Sequence, residues 1–314
     1  MNVKLSCTVL ALLCIPFLLI ASKSDQEDVW KVDYKMSMVE KRKHLDGTKE
    51  VSNDEVLAKF QNVAKKQTLV KQDLKISYYK DSANIFQLTL PVMSMTTYNR
   101  NSSAVEYKTR ATGIGDLELA YQRLCLQEAC GNLWCGLGLN LPSGSVNYRD
   151  DTPGVDNQLL TYDMQLGSGT WGARPFIQLQ KSQGKYVYGL FVEGLFRTGK
   201  NDRDYRLGNT YMAALSLSRA FTSQWLGTLT LYGNKTGSIH GKDPDLNEDI
   251  DPRNRADSSQ LTQAGLLFRI DYLRENSPRG WKFFMEVAGP AYQKAKALQP
   301  RGRSQVSLGL QCDF

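Results

Sequence analysis

Few residues in this chain have the chemistry for catalysis. There are two histidines, His44 and His240, and both fall in stretches with loop character. A hydrolytic site needs a histidine oriented beside its nucleophile, whereas a loop histidine is ordinarily just solvated. A lipid-modifying reaction at His44 or His240 is therefore the weakest reading, and no catalytic residue and no cofactor are expected. Asp243, Asp245, Glu248, Asp249 and Asp251 offer oxygen ligands at short spacing. They lack the ligand order and turn glycine of a calcium loop, so they read as a solvated acidic loop and no metal site is expected. Cys125, Cys130 and Cys135 fit no zinc spacing. In an oxidising compartment they are disulfide candidates, with the pairing left open.

What remains is a set of polar residues that recur at every second position. Glu118 and Gln122, Arg174, Gln178 and Gln180, Glu193 and Arg197, Arg269 and Asp271, and Lys282 and Glu286 all oppose apolar neighbours. Successive side chains of a strand point to opposite faces, so each segment has one wet and one greasy face. The last segment repeats the pattern: Gln305, Ser307, Gly309, Gln311 and Asp313 oppose Val306, Leu308, Leu310, Cys312 and Phe314.

The elements that must carry these faces are long strands. The segments run to about nine to twelve residues, enough to cross a bilayer at a tilt, where sandwich strands are nearer five or six. Tyr78, Tyr79, Trp134, Trp171, Tyr186, Tyr188, Trp225, Tyr232, Tyr272 and Trp281 collect at segment ends, as interfacial girdles do. The N-terminus has a positive start, an apolar run from Leu10 to Ile20 and small residues at Ala21, Ser22 and Ser24. That is the pattern of a signal peptide over residues 1–22, too short for a comfortable spanning helix. Leu13 before Cys14 argues against a lipoprotein site. Residues 23–314 are then expected to form an all-β, transmembrane antiparallel β-barrel of about 12 strands, exported to the bacterial outer membrane.

Counting back from Phe314 on the periplasmic side gives alternating loops. The outer ones are 291–302, 235–260, 198–206, 142–171 and 94–115; the inner turns are 274–280, 221–223, 182–184, 127–131 and 81–83. The first strand is expected at Val29 to Val39. Residues 52–66 read as a short helix in the first loop, capped by Ser52 or Asn53, with Val56, Leu57, Phe60, Val63 and Ala64 as its stripe. The net charge of +7 is scattered and gives no footprint for nucleic acid. Both signs of charge occur on the wet faces, so the lumen is expected to hold crossing ion pairs around a polar passage.

Several short motifs add a family resemblance. Gly113-Ile114-Gly115-Asp116-Leu117, Leu139-Asn140-Leu141-Pro142-Ser143-Gly144 and Gln165-Leu166-Gly167-Ser168-Gly169-Thr170-Trp171 are followed by Arg197-Thr198-Gly199-Lys200-Asn201 and Tyr205-Arg206-Leu207-Gly208-Asn209. In this order, over 113–209, they resemble the outer-membrane barrel family named for the meta-pathway of phenol degradation. The resemblance implies a barrel that moves hydrophobic or aromatic compounds across the outer membrane. Passive passage of a small solute is the leading expectation; a structural or adhesion barrel with a plugged lumen is the alternative. The partners expected are outer-membrane lipid and lipopolysaccharide, the barrel assembly machinery reading Phe314, and the solute.

Overall fold

The computed structural model describes residues 29–128, 131–274 and 280–314. The leader, Cys130 and most of the inner turn after Arg274 lie outside the described residues. In chain order the elements begin with β1 (Val29–Asp46), β2 (Lys49–Val51), helix α1 (Asn53–Leu57), β3 (Asn62–Tyr79) and β4 (Asn84–Asn101). There follow β5 (Glu106–Ile114), β6 (Leu117–Glu128), β7 (Gly131–Leu141), β8 (Arg149–Thr152), β9 (Val155–Leu159), β10 (Gly172–Gln183) and β11 (Tyr186–Arg197). The chain ends with β12 (Tyr205–Arg206), β13 (Thr210–Ala220), β14 (Trp225–Thr236), β15 (His240–Gly241), β16 (Leu261–Leu273), β17 (Lys282–Ala295) and β18 (Gln299–Asp313).

Each wall strand pairs antiparallel with its neighbours, and β18 pairs back onto β1 from Lys31 opposite Asp313 to Leu45 opposite Gln299. Phe314 completes the seam, its amide donating to the Trp30 carbonyl at 2.8 Å. β5 and β6 lie end to end on β4, along Val92–Arg100 and Asn84–Thr89 respectively, and count as one interrupted strand. The ring therefore closes at 12 strands. Closure matters because a barrel in lipid leaves no sheet edge with unmet N–H and C=O groups.

The two faces are inverted relative to a water-soluble protein. Leu137, Ile177, Leu215, Leu229 and Leu266 point outward and are half-exposed, while Glu118, Arg174, Asp271 and Glu286 are buried inside. Apolar side chains shown to the outside and ions within are what lipid on one side and a polar lumen on the other require. Around the periplasmic end Trp30, Tyr78, Phe86 and Tyr121 form an outward row, with ring centroids 4.8, 6.3 and 4.9 Å apart. The protein is a transmembrane β-barrel of the outer-membrane type.

Several sequence expectations need correction. β1 continues to Asp46, well past Val39, because its charged outer half finds partners in both β3 and β18. The helix spans Asn53–Leu57 alone, held by a capping box in which the Glu55 amide donates to Ser52 Oγ and the Ser52 amide to Glu55 Oε2. Residues from Asn62 onward pair with β4 and become strand; the ladder overrides the helical spacing of Val56, Phe60 and Val63. The region 94–115 is a tall hairpin of β4 and β5 with a tight turn at Asn101–Val105, not an outer loop. Likewise β17 and β18 shorten the last outer connection to residues 296–298. Trp134 faces the interior instead of joining a girdle.

Candidate functional site

The lumen is built from alternate residues of the wall. Nine expected lining residues (Glu118, Gln122, Arg174, Glu193, Arg197, Arg269, Asp271, Lys282 and Glu286) are buried inside, and Gln178 and Gln180 are half-buried on β10. Near the periplasmic end, Arg269 pairs with Asp271 at 2.7 Å and with Glu286 at 2.9 Å. Lys282 reaches Asp271 at 3.1 Å, and Lys35 reaches Glu286 at 2.6 Å. Higher up, Arg174 pairs with Glu118 at 2.7 Å.

Six further interior ions escaped the sequence reading: Lys31, Asp33, Lys35, Lys71, Asp73 and Lys75. They belong to β1, expected as a strand but with poor alternation, and to β3, which carries so many charges that it does not read as one. Their signal was the strict spacing of two, Lys31-Asp33-Lys35 and Lys71-Asp73-Lys75. With Lys41 they bring the fully buried ions of the interior wall to nine basic residues against six carboxylates among the described residues, with Asp116 and Asp313 half-buried beside them.

The outer mouth is closed by loops that fold inward. Segment 142–171 turns down inside the barrel, where Leu160, Met164 and Leu166 pack on Val39, Leu69, Met93, Met95 and Ala111 of the wall. Gln67 Nε2 donates to Asp163 Oδ2 at 2.8 Å, and the Thr97 hydroxyl donates to the Met164 sulfur at 3.2 Å. Above this, Leu159, Tyr162, Tyr205, Leu207, Ile239 and Leu246 from three loops form an apolar lid. Arg253 spans Asp251, at 2.9 and 2.6 Å, and Asn99 of β4 at 2.9 Å, tying the 237–260 loop to the wall.

The acidic loop is organised by arginine. Arg203 Nη2 donates to Asp243 Oδ1 at 2.7 Å and to Asp245 Oδ2 at 2.6 Å. The bond from Arg203 holds the Asp245 carboxyl below its usual range. Burial pushes the Tyr162 hydroxyl up to about 12, outweighing the bond that it accepts from the Asp243 amide. Among the described residues no group of histidine, cysteine and carboxylate side chains is arranged to hold a metal. His44 lies on the outer part of β1, not in a loop; it is fully buried and neither ring nitrogen has a hydrogen-bond partner. His240 stays exposed in the short strand β15. Cys125 and Cys135 lie on the paired strands β6 and β7, where Arg123 stands opposite Cys135 and its carbonyl accepts from Cys125 Sγ at 3.6 Å, and Cys312 is buried elsewhere.

The five motifs scattered over 113–209 meet at one place, the break between β5 and β6. Asp116 Oδ1 accepts from the Gly144 amide at 3.1 Å, and Oδ2 from the Ser168 amide at 2.9 Å. Ser143 Oγ accepts from the Leu117 amide at 2.8 Å and donates to the Gly115 carbonyl at 3.0 Å. Gly167 packs so tightly on Gly144 that a Cβ there would lie 1.6 Å from the Gly144 carbonyl oxygen. Asn201 Nδ2 donates to the Ser168 carbonyl at 3.1 Å, and Arg197 Nη1 to the Gly208 carbonyl at 2.8 Å. The motifs together latch the inward-folded loop to the wall. Directly beneath the latch lies a small pocket, polar along Arg174, Arg197 and Glu118 and apolar along Met93, Leu166 and Leu195.

Neither a protein-family model nor a curated protein sequence matches the chain. Solved structures do. The COG4313 outer membrane channel from Pseudomonas putida F1 superposes with a TM-score of 0.64 at 15% identity, covering 96% of this chain and 99% of that one. The NanC porin aligns at a TM-score of 0.46 and 9% identity, over 89% of this chain and 98% of that one. The first of these likenesses agrees with the fold described above and bears on the architecture of this chain and nothing narrower.

Proposed function

We propose that this protein is an outer-membrane channel for passive passage of small solutes, hydrophobic or aromatic ones among them. The observation that carries this reading is the pairing of a closed, lipid-compatible exterior with a charged lumen and a part-apolar cavity beneath the mouth. Polar wall residues such as Glu118, Arg174, Glu193 and Arg269 line the path, and no energy source is required. The similarity to the outer membrane channel from Pseudomonas putida F1 agrees with it. So does the convergence of the motifs shared with the family named for the meta-pathway of phenol degradation, to which we assign the chain.

The refolded barrel in planar bilayers tests the reading. Discrete conductance steps and uptake of a small aromatic solute into vesicles are expected. A folded barrel with neither would overturn it. The closed apolar lid of Tyr162, Tyr205 and Ile239 favours a second reading, a structural or adhesion barrel with a plugged lumen, and that is the conclusion such a result would leave.

A further inference from the structure

The cavity below the latch has an unbalanced chemistry. Arg197 lines it, fixed by the bond to the Gly208 carbonyl, by its own amide donating to Asn209 Oδ1 at 3.0 Å and by Arg206 donating to its carbonyl at 2.8 Å. Among the described residues no carboxylate lies within 4.0 Å of its guanidinium nitrogens; the carboxylate that acts on it across the cavity is Asp116. The other charges around the cavity are answered: Lys71 by Asp73 at 2.8 Å, Glu118 by Arg174, and Asp116 by two backbone amides. Arg174 retains an Nε–H that is buried, 1% of the residue being exposed, and has no hydrogen-bond partner. A buried donor left unmet is costly, so the Arg174 guanidinium favours an acceptor brought by a ligand. Met93, Leu166, Leu195 and Leu207 also line the cavity, beside Thr89, Asn140 and Ser168, and offer an apolar surface.

We infer that this cavity is a binding site for a carboxylate carried on an apolar body, an aliphatic or aromatic acid. The carboxylate sits between Arg197 and the free Nε–H of Arg174, where charge-assisted bonds are strong. The hydrocarbon lies against Met93, Leu166, Leu195 and Leu207 below the closed mouth. This rests on the channel reading, because the site lies inside the proposed path. Positive excess on the wall, from the lysines of β1 and β3, draws an anion toward it.

Calorimetric titration of the full-length, detergent-solubilised barrel tests the inference. The probes are benzoate and hexanoate, each against its neutral amide, benzamide or hexanamide. At least one acid is expected to bind, with its amide weaker by about tenfold or more; the better acid identifies the body as aromatic or aliphatic. R197Q is expected to bring the acid down to the level of the amide while keeping heat-modifiable gel mobility. The acid-to-amide ratio on the unmodified protein needs no variant to fold. Equal affinity for acid and amide, no binding of either acid, or an unchanged acid affinity in R197Q overturns the inference. Conductance in potassium chloride alone, with no acid present, reports on the channel reading separately. A conducting barrel that ignores the carboxylate refutes the site alone, and a silent barrel that binds the acid refutes the channel alone.

Discussion

Replacing Asp116 should release the inward-folded loop. Its carboxylate is the common acceptor for the Gly144 and Ser168 amides, which lie at the two ends of the segment that plugs the mouth. A hydrogen bond to a charged group contributes about 1.5–3 kcal/mol net, and Asp116 is only half-buried, so the lower figure applies to each. Losing both in D116A removes about 3 kcal/mol from the closed arrangement, on the order of a hundredfold in the ratio of latched to released loop. D116N keeps one side-chain acceptor and loses the charge, so its effect should be about half as large in free energy. Hydrogen exchange measures this directly, since amides of a loop that opens locally exchange through the open form. Peptides covering 144–168 should lose about a hundredfold protection in D116A, while those from β16 to β18 stay protected. Bilayer conductance of D116A should rise or flicker more than that of the unmodified barrel. Unchanged protection in D116A, or a D116N effect as large as that of D116A, would refute the assignment of Asp116 as the latch.

Four other outcomes are expected. G167A places a Cβ against the Gly144 carbonyl oxygen, so loop protection should fall while the barrel keeps its heat-modifiable mobility; a loop as protected as before would show that the close approach is dispensable. The lumen should prefer anions, given nine fully buried basic residues against six fully buried carboxylates on its inner wall, and a reversal potential in a potassium chloride gradient of the sign for cation preference contradicts this. The acidic loop should respond to pH at both ends. Asp245 is held below its ordinary value of 3.8 by Arg203, so its contribution is complete above about pH 4 and fades as pH falls through its lowered value. Tyr162 is raised from 10.0 to about 12, so its contribution is complete below pH 10 and is lost between 10 and 12. Proteolysis of the 237–260 loop should trace both limits, and R203Q should remove the acid one. In an oxidising compartment Cys125 and Cys135 should close a disulfide, detected by peptide mapping without reductant; free thiols at both positions in protein taken from its native membrane would exclude it.

Much of the barrel was legible because its code is local. Leu137-Gly138-Leu139 or Arg269-Ile270-Asp271 declares a two-faced strand within three residues, since the period of two follows from backbone geometry alone. Loop parity then followed from the short turns at 182–184 and 221–223. Strands β1 and β3 were harder: Lys71-Gln72-Asp73-Leu74-Lys75 is strand only because Lys71 pairs with Asp73 inside a closed wall and β1 and β4 supply the ladder on either side. The helical stripe from Val56 to Val63 misled for the converse reason, since pairing with β4 outweighed the local spacing from Asn62 onward.

By itself, then, the sequence determined which residues face lipid and which face the lumen on most of the strands from β6 onward, and that the sheet should close, because alternation and length are properties of single strands. It also displayed the glycine-rich motifs between Gly113 and Asn209 without saying why they occur together. Only the tertiary structure decided that they meet, with Asp116 gripping residues 28 and 52 positions away in the chain. It alone decided that the 142–171 loop lies within the barrel, and that Arg197 and Arg174 line one part-apolar cavity beneath it. These are relations between side chains brought together by barrel closure, and no local pattern encodes a distance across a lumen.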